Sequence, residues 1–253
     1  MAAFLPELSL AVIAGLPLGA LANHAVDRLP GRQGWGPLRR TCPACGRVLG
    51  VAETVSLLGL LLGQRRCRNC GAAFPFHYYL VELLTILGLA GVFWSMGLNA
   101  RAVFYVPFVL TLVAAGVIDY RHRIIPKRLM GVGLLAGLVL GIPAGLEVLP
   151  AIYGAGAGFG ILWLLSTLWP GGLGGGDVKL GGFLGFYLGW PEIAVGLALG
   201  FVLGAVAACA LLALRKVRLR DTIAYGPFLA VGAYVTLLGW QHIIKWIWPL
   251  IDR

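Results

Sequence analysis

Eight apolar segments, most close to the roughly 20 residues that cross a bilayer as a helix, leave this chain few ways to fold. They run over residues 4–26, 78–96, 102–118, 129–146, 151–168, 178–190, 193–214 and 223–240. In hydrocarbon every backbone N–H and C=O must find its partner inside the segment, so the expected architecture is an all-α, polytopic bundle of about eight transmembrane helices. With 59% hydrophobic residues, 12% charged and a mean hydropathy of +0.88, a soluble domain is excluded. The sixth segment is short, as a glycine-rich helix can be when it lines a cavity within a bundle. The tail 241–253, with Trp246 and Trp248, suits an interfacial segment. Residues 1–20 lack a basic region ahead of their apolar stretch, so the first span is expected to stay in the mature protein.

Eight spans place alternate loops on alternate faces. Seventeen of the 20 Lys and Arg residues then fall on one face: in the long loop from Arg28 through Arg32, Arg39, Arg40, Arg47, Arg65 and Arg66 to Arg68; in the turn Arg121–Arg128; at Lys179; and at Arg215, Lys216, Arg218 and Arg220. Arg101, Lys245 and Arg253 fall on the other. Basic loops stay cytoplasmic, which orients the amino terminus outward. The net charge of +10 is thereby spread over every loop of one face, a pattern for orientation and anionic lipid rather than nucleic acid. The division expected is 1–26 as first span, 27–77 as a cytosolic module and 78–253 as the membrane domain.

Inside the long loop stand Cys42-Pro-Ala-Cys45 and Cys67-Arg-Asn-Cys70, two C-x-x-C knuckles separated by 21 residues. Four thiolates so spaced can close a tetrahedral Zn(II) site without an open position, hence a structural one. Disulfides are the alternative, and a reducing cytosol favours zinc. Each knuckle is followed by glycine, Gly46 and Gly71, as a chain reversing around a metal requires. Cys209, within an apolar span, reads as a packing residue.

A carboxylate entering a membrane helix costs about 3 kcal/mol at the helix centre, so one that persists there has a task or a partner. Asp177 follows Gly174-Gly175-Gly176, and Asp119 closes another apolar span, followed by Ile125-Pro126. Together at one membrane face the two acids could not both stay ionised; one would keep a proton while the other acts as base on a water, enough to hydrolyse a peptide bond. The glycines would permit unusual backbone angles and close approach of an extended substrate. Pro126 would end the loop after Asp119. The plainer alternatives pair Asp119 with Arg123 at i,i+4 and Asp177 with Lys179. Gly154, Gly156, Gly158 and Gly160 read as helix packing. His77 and Glu82 read as interfacial anchors, and His122 as a solvated loop residue.

Gly174-Gly175-Gly176-Asp177-Val178-Lys179-Leu180 resembles the G-x-G-D-x-K-L motif of the prepilin peptidases, GxGD-type membrane aspartic proteases of type IV pilus and type II secretion systems. Asp119 with Ile125-Pro126 resembles that family's first catalytic element, and residues 15–30, both knuckles, 79–84 and Tyr225-Gly226-Pro227-Phe228 match in order along the chain. The resemblance implies a bacterial inner-membrane enzyme that removes the basic leader of prepilins or pseudopilins at the cytoplasmic face, ahead of their apolar helix. It further implies N-methylation of the new amino terminus with S-adenosylmethionine. Asp119 and Asp177 become the catalytic acid and base, Cys42, Cys45, Cys67 and Cys70 the zinc ligands, and Gly174, Gly176, Lys179, Pro126, Gly226 and Pro227 the residues shaping the site. Two departures stand out. Lys127 occupies a position where many members carry Asp or Asn, and Gln64-Arg65-Arg66 stands where members read Arg-Gly-Arg or Arg-Gly-Lys.

The departure before Cys67 keeps open a peptidase without methyl transfer. A transporter or scaffold, with ion-binding carboxylates and a partner-recruiting knuckle, is the reading from another class. Glu53 and Asp27, among the few acids on the basic face, are candidate contacts for a basic leader. No sequence signal bears on oligomeric state or on the methyl-donor site.

Overall fold

A computed structural model describes residues 5–31, 40–169, 172–216 and 223–251. Arg32, Arg39, Arg218, Arg220 and Arg253, which entered the charge tally, lie outside the described residues, as do the side chains of Lys245, Trp246 and Trp248. Among the described residues the fold is all helical, with isolated bridges in the cysteine module. The first span is α1 (Leu5–Arg28). Two short helices, α2 (Val51–Thr54) and α3 (Ser56–Leu61), lie in the module. The remaining elements are α4 (Phe76–Met96), α5 (Ala100–Phe104), α6 (Val106–His122), α7 (Lys127–Ala144), α8 (Val148–Leu168), α9 (Gly175–Leu188), α10 (Glu192–Ala213) and α11 (Gly226–Ile251).

All eight apolar segments are helical, but their lengths differ from the expectation. Among the described residues six helices are long and apolar enough to span a membrane, α5 and α6 counting as one, with Gly226–Trp240 of α11 a shorter apolar helix. Pro107 stands at the start of α6, where its missing N–H and fixed φ break the ladder between α5 and α6. Helix α9 has 14 residues, about 21 Å at 1.5 Å per residue, and is shorter than a span. It is buried among neighbours instead: Val178, Leu180, Gly181, Phe183, Leu184 and Tyr187 all face inward. Helix α11 begins at Gly226 rather than at 223, and its backbone continues into the expected interfacial tail as far as Ile251.

Small residues set the helix spacing. An added Cβ at Gly154 or Gly158 of α8 would run into the Gly185 or Gly181 carbonyl of α9, and the reverse holds at Gly181 and Gly185. Two small-xxx-small stripes thus face each other, which lets the backbones approach where apolar burial gives no drive against lipid. Gly156 and Gly160, expected in the same role, meet nothing within 4 Å. Gly15 and Gly19 of α1 do the equivalent against Ile86 and Glu82 of α4. Cys209 is exposed on the bundle's outer surface, not packed inside it.

Glu82 is not an interfacial anchor. It is fully buried in α4, and its two carboxylate oxygens accept the N–H groups of Ser56 and Leu57 at 2.7 Å each, the first turn of α3. Asn23 Nδ2 of α1 donates to the same carboxylate at 3.3 Å. The residue before α3, Val55, has no capping side chain, so a carboxylate from another helix satisfies those orphan donors.

Candidate active site and cysteine module

The two knuckles are copies of one turn. Cys42 N–H bonds the Arg47 carbonyl, Gly46 N–H the Cys42 carbonyl and Leu49 N–H the Arg40 carbonyl; Cys67, Gly71 and Phe74 repeat this with Ala72, Cys67 and Arg65. Gly46 and Gly71 both take φ +71, the left-handed region where a side chain is strained. The four sulfurs lie within 4.8 Å of one another, with Cys42–Cys70 at 3.7 Å and Cys45–Cys67 at 3.9 Å. Zn–S bonds of about 2.3 Å put the corners of a tetrahedron about 3.8 Å apart, which the two short pairs match, so a contraction of no more than about 1 Å at the wider pairs would close the donor set on zinc. The backbone N–H groups of Cys70 and Asn69 hold the Cys67 thiol down to about 6, toward the thiolate that a metal needs.

The surroundings fix the module in place. Glu53 takes both oxygens to Arg47 at 2.6 Å and accepts the N–H groups of Gly50 and Arg68. Burial opposes its charge, but these bonds and the Arg47 guanidinium outweigh that and hold the carboxyl below its ordinary range. So engaged, and 3% exposed, Glu53 is not available to a leader peptide. Arg40 lies over the Tyr78 ring at 4.0 Å, donates to the Thr54 carbonyl and pairs with Asp27 at 3.7 Å. Asp27 contacts His77 at 3.4 Å, and Arg121 Nη1 lies 2.9 Å from His77 Nε2. This chain of polar contacts ties the module to the last turn of α6.

Asp119 stands in that last turn. Helix α6 stops at Arg123, which adopts a left-handed conformation (φ 54) while its N–H bonds the Asp119 carbonyl. Pro126 then precedes α7 in extended geometry, as expected of the residue that ends the loop. Asp119 is 6% exposed, and its Oδ2 accepts the Gly226 N–H at 2.8 Å from the start of α11. Gly226 is required there: an added Cβ would sit 2.8 Å from that oxygen and 3.1 Å from Cγ. Arg123 also acts on Asp119 electrostatically.

Asp177 is 9% exposed and is the third residue of α9, where its Oδ2 accepts the Gly174 N–H at 3.0 Å. A carboxylate there also complements the helix N-terminus. The glycines act by size rather than by angle. Gly174 is ordinarily extended (φ −81, ψ 154), and Gly175 and Gly176 are helical, so the unusual backbone expected of them is absent. At Gly176 a Cβ would lie 3.2 Å from Ile125 Cβ, and this close approach seats α9 against the loop after Asp119. Lys179 is exposed, and residues two apart on a helix do not face each other, so the pairing of Asp177 with Lys179 is not made.

The fold thus brings the acids, 58 positions apart, near enough to act on one another electrostatically. Each is fixed through one oxygen by a backbone N–H, and Asp177 Oδ1 is buried with no hydrogen-bond partner among the described residues. Such an oxygen can take a proton from, or orient, a water brought in with a substrate. Pro227 lines an apolar groove beside this site. Nothing in the residue pattern signals the His77–Arg121 link or the cap on α3, because both join residues with no spacing relation. The start of α11 lies against Asp119 through the Gly226 N–H, and Tyr225, the residue before it, is within electrostatic range of Asp177.

The sequence profile of the type IV leader peptidase family matches residues 106–209, and that of the bacterial peptidase A24 N-terminal domain matches residues 13–96. A prepilin leader peptidase/N-methyltransferase of Aeromonas salmonicida (strain A449) is 35% identical over 216 residues, 82% of this chain and 74% of the relative. One of Bacillus subtilis (strain 168) is 30% identical over 240 residues, 94% and 96% of the two chains, and one of Pseudomonas aeruginosa 29% over 265 residues, 92% and 91%. No solved structure matches the chain.

Proposed function

Because this chain belongs to the type IV leader peptidase family, we propose that it removes the leader peptide of type IV prepilins or pseudopilins and methylates the amino terminus it exposes. The observation that carries the proteolytic half is the buried pair Asp119 and Asp177, each held through a single oxygen. One carboxylate takes a proton from water as the water oxygen bonds to the scissile carbonyl carbon; the other gives its proton to the carbonyl oxygen. Collapse of the tetrahedral diol breaks the C–N bond, and the departing amine takes a proton from the pair. The backbone N–H groups of Gly226 and Gly174 keep both carboxylates aimed throughout. The fixed geometry and exclusion of bulk water supply what a covalent nucleophile would otherwise supply.

On this reading the basic face, with the cysteine module and both acids, is cytoplasmic, and the membrane is the bacterial inner membrane, with anionic lipid against the basic loops. Residues 27–77 form the cytosolic module attached to the membrane peptidase of residues 78–253. Cys42, Cys45, Cys67 and Cys70 hold a zinc ion that stiffens the module and has no open position for chemistry. S-adenosylmethionine, when bound, supplies an electrophilic methyl group for the new amine. Among the described residues, those around a cavity of about 350 Å³ between the end of α1 and the last turn of α6 have fitting chemistry: the Asp27 carboxylate for the donor's cationic end and the Arg121 guanidinium for its carboxylate.

The test is incubation of the purified protein with a prepilin in lipid. A size shift that is lost in Asp119→Asn and in Asp177→Asn supports the pair, and substantial cleavage by either variant rejects it. Mass spectrometry of the processed pilin's first residue reads the second activity: an added methyl group excludes a peptidase working alone.

A further inference from the structure

An open groove of about 780 Å³ lies on the bundle's flank, walled by α4 and α11 and floored by α6. Leu80, Leu84, Val113, Val117 and Val231 line it, and Gly116 keeps the floor low. At its inner end α4 and α11 meet, where Tyr234 Oη donates to the Gly88 carbonyl at 2.8 Å. At its other end stand Phe76, His77, Tyr120 and Arg121, on the face that carries the acids and the cysteine module.

We propose that this groove receives the apolar helix of the prepilin substrate and so delivers the bond ahead of that helix to Asp119 and Asp177. The proposal rests on the peptidase reading and adds where the substrate lies. Three features of the groove support that occupant. First, its length: it follows α4 from Phe76 to Gly88 and α6 from Val109 to Arg121, and 12 residues at 1.5 Å each give about 18 Å, room for about three turns of a single helix lying parallel to them. Second, its chemistry: the walls are apolar for that whole length and become polar only at the mouth. A helix with an apolar body and a hydrophilic leader matches that sequence of surfaces. Third, its position: Tyr120 and Pro227, the chain neighbours of Asp119 and of its hydrogen-bond donor Gly226, both line the groove. A helix seated against the floor therefore has its mouth-side end level with the carboxylates. The closed inner end at Tyr234 and Gly88 sets how far it can slide.

The test uses full-length protein in phospholipid vesicles with a prepilin that retains its leader and its apolar segment. A photoreactive benzoylphenylalanine replaces Leu84, Val113 or Val231 in the groove, or Leu135 of α7 or Val202 of α10, which are exposed on other faces. Adducts with the prepilin are expected at least tenfold more from the groove positions than from the other two. A second variant fills the space directly. A Cβ at Gly116 meets only Pro227 Cα, at 3.7 Å, an ordinary contact, and Gly116 lines the groove, so Gly116→Phe is the substitution chosen to fill it. It should raise KM for prepilin at least tenfold with kcat little changed, whereas Gly156→Phe on α8, where nothing lies within 4 Å, should not. Equal adduct yields from all faces, groove adducts with lipid alone while prepilin is cleaved, or an unchanged KM in Gly116→Phe would overturn the groove assignment. Adducts concentrated in the groove without leader removal by the unmodified protein would leave the assignment standing and overturn the peptidase reading instead.

Discussion

The cysteine module and the carboxylate pair each join side chains from two separate stretches of chain, and they do so by opposite means. In the module one turn is made twice, 25 residues apart, with the same backbone bonds and the same left-handed glycine, and side chains close the cluster. In the carboxylate site no motif repeats. Three helix ends converge, and the groups that aim the acids are backbone N–H donors of glycines. A local repeat with four like ligands keeps most of its logic in residue types. A site built from helix ends keeps it in the packing that puts those ends together.

That contrast can be broken most directly at the acids. Asp119→Asn or Asp177→Asn should each lower leader removal by about 10²–10⁴-fold, with the protein still folded and inserted, because a positioned acid or base is worth that much. Single-turnover cleavage of a prepilin measures it; a variant within a few fold of the parent would detach the pair from the chemistry. Next in size is the module. Replacing Cys42 and Cys67 by serine should abolish bound zinc in elemental analysis and reduce methylation of the processed pilin, while leader removal survives. Equal loss of both activities would mean that the two regions are one unit rather than two.

A smaller effect sharpens the role of backbone donors. Gly226→Ala keeps the N–H but sets a Cβ 2.8 Å from Asp119 Oδ2, and a displacement of about 1 Å can cost about 10²-fold in rate. Gly175→Ala, which meets nothing within 4 Å, should be silent in the same assay. The smallest change is at Glu82. Glu82→Gln keeps the shape but weakens the bonds to Ser56 and Leu57, a loss of about 1–3 kcal/mol for a buried charged group. Faster proteolysis between residues 51 and 74 with cleavage activity retained would place the effect in the module's attachment; loss of activity without it would relocate Glu82 to the site.

Much of this was legible beforehand. Apolar runs identified eight helical segments, because hydrocarbon leaves a spanning chain little alternative, and C-x-x-C spacing marked the module because short turns carry their own geometry. The reading failed where burial overrode local cues. Glu82 and Glu53 looked like interfacial or leader-binding acids, since a charge near a helix end is usually solvated; both are buried, Glu82 on the N–H groups of Ser56 and Leu57 and Glu53 in part on that of Arg68, donors that no spacing rule connects to them. The glycines before Asp177 looked like a source of unusual angles and instead provide closeness to Ile125. Of Gly154, Gly156, Gly158 and Gly160, only rotation about the α8 axis separates the two that touch α9 from the two that touch nothing.

By itself the sequence determined the class of fold, the four cysteines that the module would gather and which two acids stand out, because each of these follows from residue type and short-range spacing. Only the tertiary structure decided that the acids come within electrostatic range of each other, that glycine N–H groups fix one oxygen of each, and that a groove runs past them. Those are relations between helix ends brought together by close packing, and a carboxylate's direction depends on donors that every residue's backbone carries and no side-chain pattern announces.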